Sequence, residues 1–153
     1  MSWLIDLLTN QLLLTAVSSW ALAQIIKVII FAIINKKFDI HRLFGDGGMP
    51  SGHSATVTSL ATMSALMYGF GSFEFAVTTI LAIVVCHDAT GVRRETGKQA
   101  ILLNELVKAF EILATHELPE VKLKELVGHT PFQVFMGMGL GIVNALFMYF
   151  IIF

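Results

Sequence analysis

The stretch Gly47-Gly48-Met49-Pro50-Ser51-Gly52-His53-Ser54 has the residue types needed to hold an anion. Its glycines permit tight turns in which several N–H groups point at one spot, and Ser51 with Ser54 can cap a helix that follows. At such a helix start, unpaired N–H groups and the positive end of the macrodipole coincide, which favours a negatively charged ligand. His53 lies in the first turn, placed to touch whatever anion binds. Two further polar groupings interrupt an apolar sequence. One runs from His87 through Asp88 to Arg93, Arg94 and Lys98, and its guanidinium groups have the planar fork that suits oxyanions. The other is Gly128-His129-Thr130-Pro131. Each has a plainer reading when taken singly: a glycine-rich turn before a helix, arginines anchored to lipid head groups, and a histidine beside a helix cap. His41, His87 and His116 match no motif and read as surface residues.

The elements that must position these groups are read from hydrophobicity. The chain has 153 residues, of which 56% are hydrophobic and 14% charged, and its mean hydropathy is +0.77. That is far to the apolar side of a soluble domain, so the expected class is an all-α polytopic transmembrane bundle of about four spans. A single cysteine, Cys86, cannot form an internal disulfide. Met1 to Gln11 lacks a basic n-region and carries Asp6, so no cleavable signal peptide is expected. The length suits one membrane-embedded domain over residues 1–153, with no second domain.

Ser2 to Asn10 is short and amphipathic and reads as an interfacial helix anchored by Trp3. Leu12 to Ile34 is the first span; it carries Gln24 and Lys27, three apart and hence on one face. Lys27 has two readings, snorkelling to the membrane surface or facing inward with a role, and both stay open. Ser51 to Tyr68 is polar for a span, but Ser54, Thr58, Ala61, Thr62 and Ala65 recur at helical spacing as a stripe of small residues, which predicts a central position in the bundle. Phe73 to Asp88 forms the next span. Ala100 to Ala114 has a 3.6-residue period and reads as an amphipathic helix on the membrane surface or the bundle. A charged segment, Glu117 to Leu126, is closed by Gly128, and Pro131 to Phe153 is the last span, capped by Thr130. Its Gly137 and Gly141 form a GxxxG face, expected to serve as a contact between two copies in a homodimer.

Nine of the ten Lys and Arg residues lie after the first span or between the third and fourth, and the tenth is Lys27. The positive-inside rule then makes those two regions cytoplasmic and both termini external. On that topology Gly47–Ser54, Asp88 with Arg93 and Arg94, and His129 share one membrane face. The amphipathic helix is cytoplasmic as well.

These three blocks, in this order, resemble the divergent membrane branch of the type 2 phosphatidic acid phosphatase superfamily, whose members are relatives of the vanadium haloperoxidases. The resemblance runs from about Gln24 to Gly141. It implies a phosphatase-like domain in which His129 attacks phosphorus to form a phosphohistidine, while His53 is the general acid that protonates the leaving oxygen. Ser51 and Gly52 would contact phosphate, and Arg93 and Arg94 would neutralise its charge in the transition state. The chain departs from the superfamily pattern in three places. No lysine here is followed by six residues and Arg-Pro; Lys27 is the substitute, with Lys36, Lys37 and Arg42 as rivals. The arginine expected six positions before the nucleophile is Leu123, and the carboxylate expected four positions after it is Gln133. Gln133 can orient the imidazole but stabilises imidazolium less than a carboxylate does, so either Asp88 takes that part or turnover is slow.

The function expected from this reading is hydrolysis of a phosphorylated lipid, a phosphomonoester or pyrophosphate, at the cytoplasmic face of the cell membrane. The expected partners are that lipid and the bilayer; no cofactor, metal or nucleic acid is expected. The alternative class is a non-catalytic membrane protein that binds or translocates phospholipid on the same fold, and Gln133 with the incomplete first motif is what favours it.

Overall fold

The computed structural model describes residues 2–37, 48–113 and 129–153. They form six α-helices: α1 (Ser2–Leu8), α2 (Gln11–Asn35), α3 (Gly52–Tyr68), α4 (Phe73–Thr90), α5 (Val92–Leu113) and α6 (Pro131–Phe147). Beyond α6 the backbone widens for one turn, with Phe153 N–H donating to Met148 O at 3.0 Å. The charged segment Glu117–Leu126, Gly128, and most of the first basic loop, including His41, Arg42 and Gly47, lie outside the described residues, as does His116.

Helix starts follow the capping residues. Asn10 accepts from Leu13 N–H, Ser51 from Ser54 N–H and Ser72 from Phe75 N–H, so α2, α3 and α4 each begin on a side-chain oxygen. Thr130 and Gln133 form a reciprocal capping box at α6, with Pro131 in the first turn. At its C-terminus α2 closes on Lys36 in the left-handed region, φ 51°.

Three helices are long and apolar enough to cross a membrane: Gln11–Asn35, the run that begins at Phe73, and Pro131–Ile152. The 17 residues of α3 rise only ~25 Å, short of a hydrocarbon core of ~30 Å. Its sequence tolerates this because α3 sits in the middle, packed on α2, α4 and α6, and so exposes little backbone to lipid. Apart from Val57 and Met63 its buried residues are small: Gly52, Ser54, Ala55, Thr58, Ser59, Ala61 and Ser64. Four hydroxyls of the helix return to a carbonyl one turn back, those of Thr56, Ser59, Thr62 (2.8 Å to Thr58 O) and Ser64 (2.9 Å to Leu60 O), which helps make a serine- and threonine-rich helix tolerable at membrane depth.

The GxxxG face of α6 is used inside the chain. A β-carbon on Gly137 would meet Ser51 O at 2.5 Å, and one on Gly141 would meet Ala55 O at 2.5 Å and Ser59 N at 3.0 Å. The homodimer seam expected at Gly137 and Gly141 is therefore the α3–α6 seam, because small residues specify a close approach and α3 makes it first. Gly141→Ala is expected to force these helices apart at a cost of about 1–3 kcal/mol, read as a lower unfolding temperature in detergent, whereas Gly139→Ala, in open space, should leave it unchanged. At the far end of α6, Asn144 Nδ2 donates to Ser19 Oγ (2.7 Å) and Ser18 Oγ (2.9 Å), clipping α6 to the start of α2.

The amphipathic helix begins at Val92, directly after Gly91, and not at Ala100 as expected. The charges of the polar cluster sit at helical spacing: Lys98 Nζ lies 2.6 Å from Glu95 Oε1, an i,i+3 pair. Lys98 holds the Glu95 carboxyl below its ordinary range, although a solvent-exposed pair of this kind is worth little.

Candidate anion site at one end of the bundle

Four helix ends meet on the side of the bundle where α3 and α6 begin. Ser51 N–H donates to Gln133 O at 3.1 Å, tying the Pro-Ser-Gly-His block to the first turn of α6. His129 N–H donates to Ala89 O at 3.0 Å, tying the Gly-His-Thr-Pro block to the end of α4, one residue after Asp88. Two blocks separated by about half the chain are thus joined to one another and to the third by backbone hydrogen bonds.

α2 contributes the cation. Lys27 is 7% exposed, and a β-carbon on Gly52 would lie 3.7 Å from its Nζ. Gly48, at φ +100°, would carry a β-carbon 3.8 Å from Lys27 Cγ, so the loop before α3 folds over the lysine stem in a conformation that favours glycine. The inward reading of Lys27 is the one realised, with the ammonium beside the N-terminus of α3. Trp20, two turns earlier, reaches the same place: its Nε1 lies 3.8 Å from that β-carbon position. Sequence reasoning passed over Trp20 as one more aromatic of an apolar span; the available signal was its spacing of four and seven from Gln24 and Lys27.

The first turn of α3 divides its N–H groups. Ser54 N–H goes to Ser51 Oγ at 3.3 Å and Ala55 N–H to Ser51 O at 3.1 Å, whereas Gly52 and His53 N–H have no acceptor among the described residues. Ser51 is fully buried; its oxygen also accepts from Ser54 Oγ at 2.9 Å. Its visible work is capping and docking α3 onto α6. The His53 side chain is exposed and its ring makes no hydrogen bond among the described residues.

His129 is 5% exposed. Gln133 Oε1 lies 3.3 Å from His129 Nδ1 and 3.0 Å from Thr130 N. A carbonyl oxygen can only accept, so this contact puts the ring proton on Nδ1. Asp88 is half-buried and Arg94 exposed in the first turn of α5; the Arg93 side chain lies outside what is described. No group of three His, Cys, Asp or Glu side chains suited to a metal ion occurs among the described residues.

An apolar groove of about 770 Å³ leads away from this end between α3, α4 and α6. Thr90 and Pro131, next to the Ala89 and Thr130 that flank His129, stand at its near end, and Phe70 and Leu146 at its far end.

A family model described as Divergent PAP2 family matches residues 8–144. The chain is 43% identical over 150 residues to the uncharacterised membrane protein YuiD of Bacillus subtilis (strain 168), an alignment that covers 92% of this chain and 95% of that one. No solved structure matches.

Proposed function

This chain belongs to the divergent PAP2 family, and from that premise we propose that it is an integral membrane phosphatase acting on a phosphorylated lipid through a phosphohistidine. The observation that carries the reading is the joining of three separated blocks: Lys27 over Gly52, Ser51 bonded to Gln133, and His129 bonded to Ala89. A buried imidazole, a helix N-terminus with two uncommitted N–H groups and an ammonium thereby share one end of the bundle.

In the proposed reaction His129 Nε2 attacks phosphorus and the bond from phosphorus to the lipid oxygen breaks. His53 gives that oxygen its proton. Water then attacks the phosphohistidine, the P–N bond breaks, neutral His53 takes the water proton, and inorganic phosphate leaves. Lys27, the Gly52 and His53 N–H groups, Arg93 and Arg94 carry the phosphoryl charge. The groove between α3, α4 and α6 supports a substrate with a hydrocarbon chain, since it joins the polar end to the membrane interior. The basic residues after the first span and before the last favour the cytoplasmic face for this end.

Lys27→Met is expected to lower kcat by about 10²–10³-fold, the usual loss on removing one preorganised donor to transition-state charge. Unchanged kcat would remove the ammonium from the site. The overall test is purified protein with a panel of lipid monophosphates and pyrophosphates in metal-free buffer, where release of phosphate is expected. Gln133, standing where the superfamily pattern has a carboxylate, favours a second reading, a membrane protein that binds the same lipids without turnover. Saturable lipid-phosphate binding with no release across the panel would select it.

A further inference from the structure

We propose that Gln24 belongs to the anion site and accepts the proton carried by the bound phosphoryl group, so that the site distinguishes phosphate from sulfate; this rests on the phosphate reading of the same site. Residues 20, 24 and 27 fall within an arc of ~60° on α2, at ~100° per residue. Trp20 and Lys27 both reach Gly52. Gln24 lies between them along the helix axis and at the edge of the same arc; it is 6% exposed, and its Oε1 has no hydrogen-bond donor among the described residues.

A carbonyl oxygen buried at membrane depth without a donor is costly, because neither water nor lipid can satisfy it. The polar groups found beside Gly52 are donors: the Lys27 ammonium and the Trp20 indole N–H, together with the N–H groups of Gly52 and His53 themselves. A site made only of donors binds any oxyanion of suitable size. One acceptor set among them suits an oxyanion that keeps a hydroxyl, as a phosphate monoanion does. Sulfate carries no proton and would face the Gln24 oxygen with a lone pair. Gln24 also differs from the charged groups of the site in that its contribution is selective: it adds nothing to the attraction for a fully deprotonated anion.

The test is equilibrium binding of inorganic phosphate and of sulfate to the full-length protein in detergent, below ~pH 6, where a phosphomonoester largely keeps its second proton. Wild type is expected to prefer phosphate by roughly tenfold or more, the worth of a hydrogen bond involving a charged group. In Gln24→Met, similar in shape but without the acceptor, phosphate should weaken by about tenfold while sulfate stays within about twofold. Retained sulfate binding also reports that the variant is folded. If that variant binds neither anion, Gln24→Asn, which withdraws the oxygen by one methylene, is expected to lower the phosphate-to-sulfate ratio in its place. Wild type that binds both anions equally, or variants that keep the wild-type ratio, would overturn the assignment. Phosphate preference in a protein that releases no phosphate from any lipid would sink the enzyme and leave Gln24 in its role. Wild type that binds neither anion would sink both.

Discussion

His129→Ala is expected to abolish phosphate release and any covalent phosphoenzyme, a loss on the order of 10⁴-fold or more, as for other covalent nucleophiles. The expectation rests on what the side chain does and does not hold. The backbone N–H of His129 makes the bond to Ala89 O, and Thr130 N–H stays bonded to Gln133 Oε1, so an alanine keeps the local architecture and the α6 cap. What it removes is an imidazole, 5% exposed, whose Nδ1 is committed to Gln133 and whose Nε2 is the proposed nucleophile. Binding of lipid phosphate should persist, because the ammonium of Lys27 and the N–H groups of α3 remain. A variant that loses binding and thermal stability together, while its residual turnover follows the folded fraction, would instead mark His129 as a packing residue.

The second large effect concerns His53, and it depends on the substrate. General acid assistance is worth about 10²–10⁴-fold, and only where the departing oxygen is basic enough to need a proton in the transition state. His53→Ala should therefore lose that factor on a lipid alcohol and regain most of it on a phenol-like leaving group. The same change of leaving group should rescue nothing in His129→Ala. His53 is on the exposed side of the first turn of α3 and its ring has no hydrogen bond among the described residues, so its substitution leaves the Ser51 cap and the α3–α6 seam intact. Equal losses across all leaving groups would take the proton-donor role away from His53.

Much of this arrangement was legible in the residues, for reasons that differ from place to place. The Ser51 and Thr130 caps are local, set by side chains that reach N–H groups three residues on, and both were legible in the residues; the Ser72 cap works the same way and was not singled out. The central place of α3 followed from its stripe of small residues, since only a helix enclosed by others gains from presenting so little side chain. The partner of Gly137 and Gly141 was not legible. A GxxxG face encodes how near a neighbour comes and not which neighbour it is, so a contact within the chain read as one between copies. Lys27 had two readings because snorkelling and inward placement use the same residue at the same depth; its burial against Gly48 and Gly52 decides where it lies. Trp20 and the early start of α5 were hidden by composition: an indole in an apolar span resembles an anchor, and a charged run resembles a loop until its spacing is weighed.

The central claim is that phosphorus is transferred to a histidine nitrogen and then to water, and its most direct test is to find that nitrogen. Wild-type protein mixed with a lipid phosphate and quenched at alkaline pH, where phosphohistidine survives, should yield one phosphoryl group on the peptide that contains His129, appearing within the first turnover and decaying as inorganic phosphate is released. Phosphate released at full rate with no phosphoryl group on the protein, or with the group carried by His53 or another residue, would contradict the account.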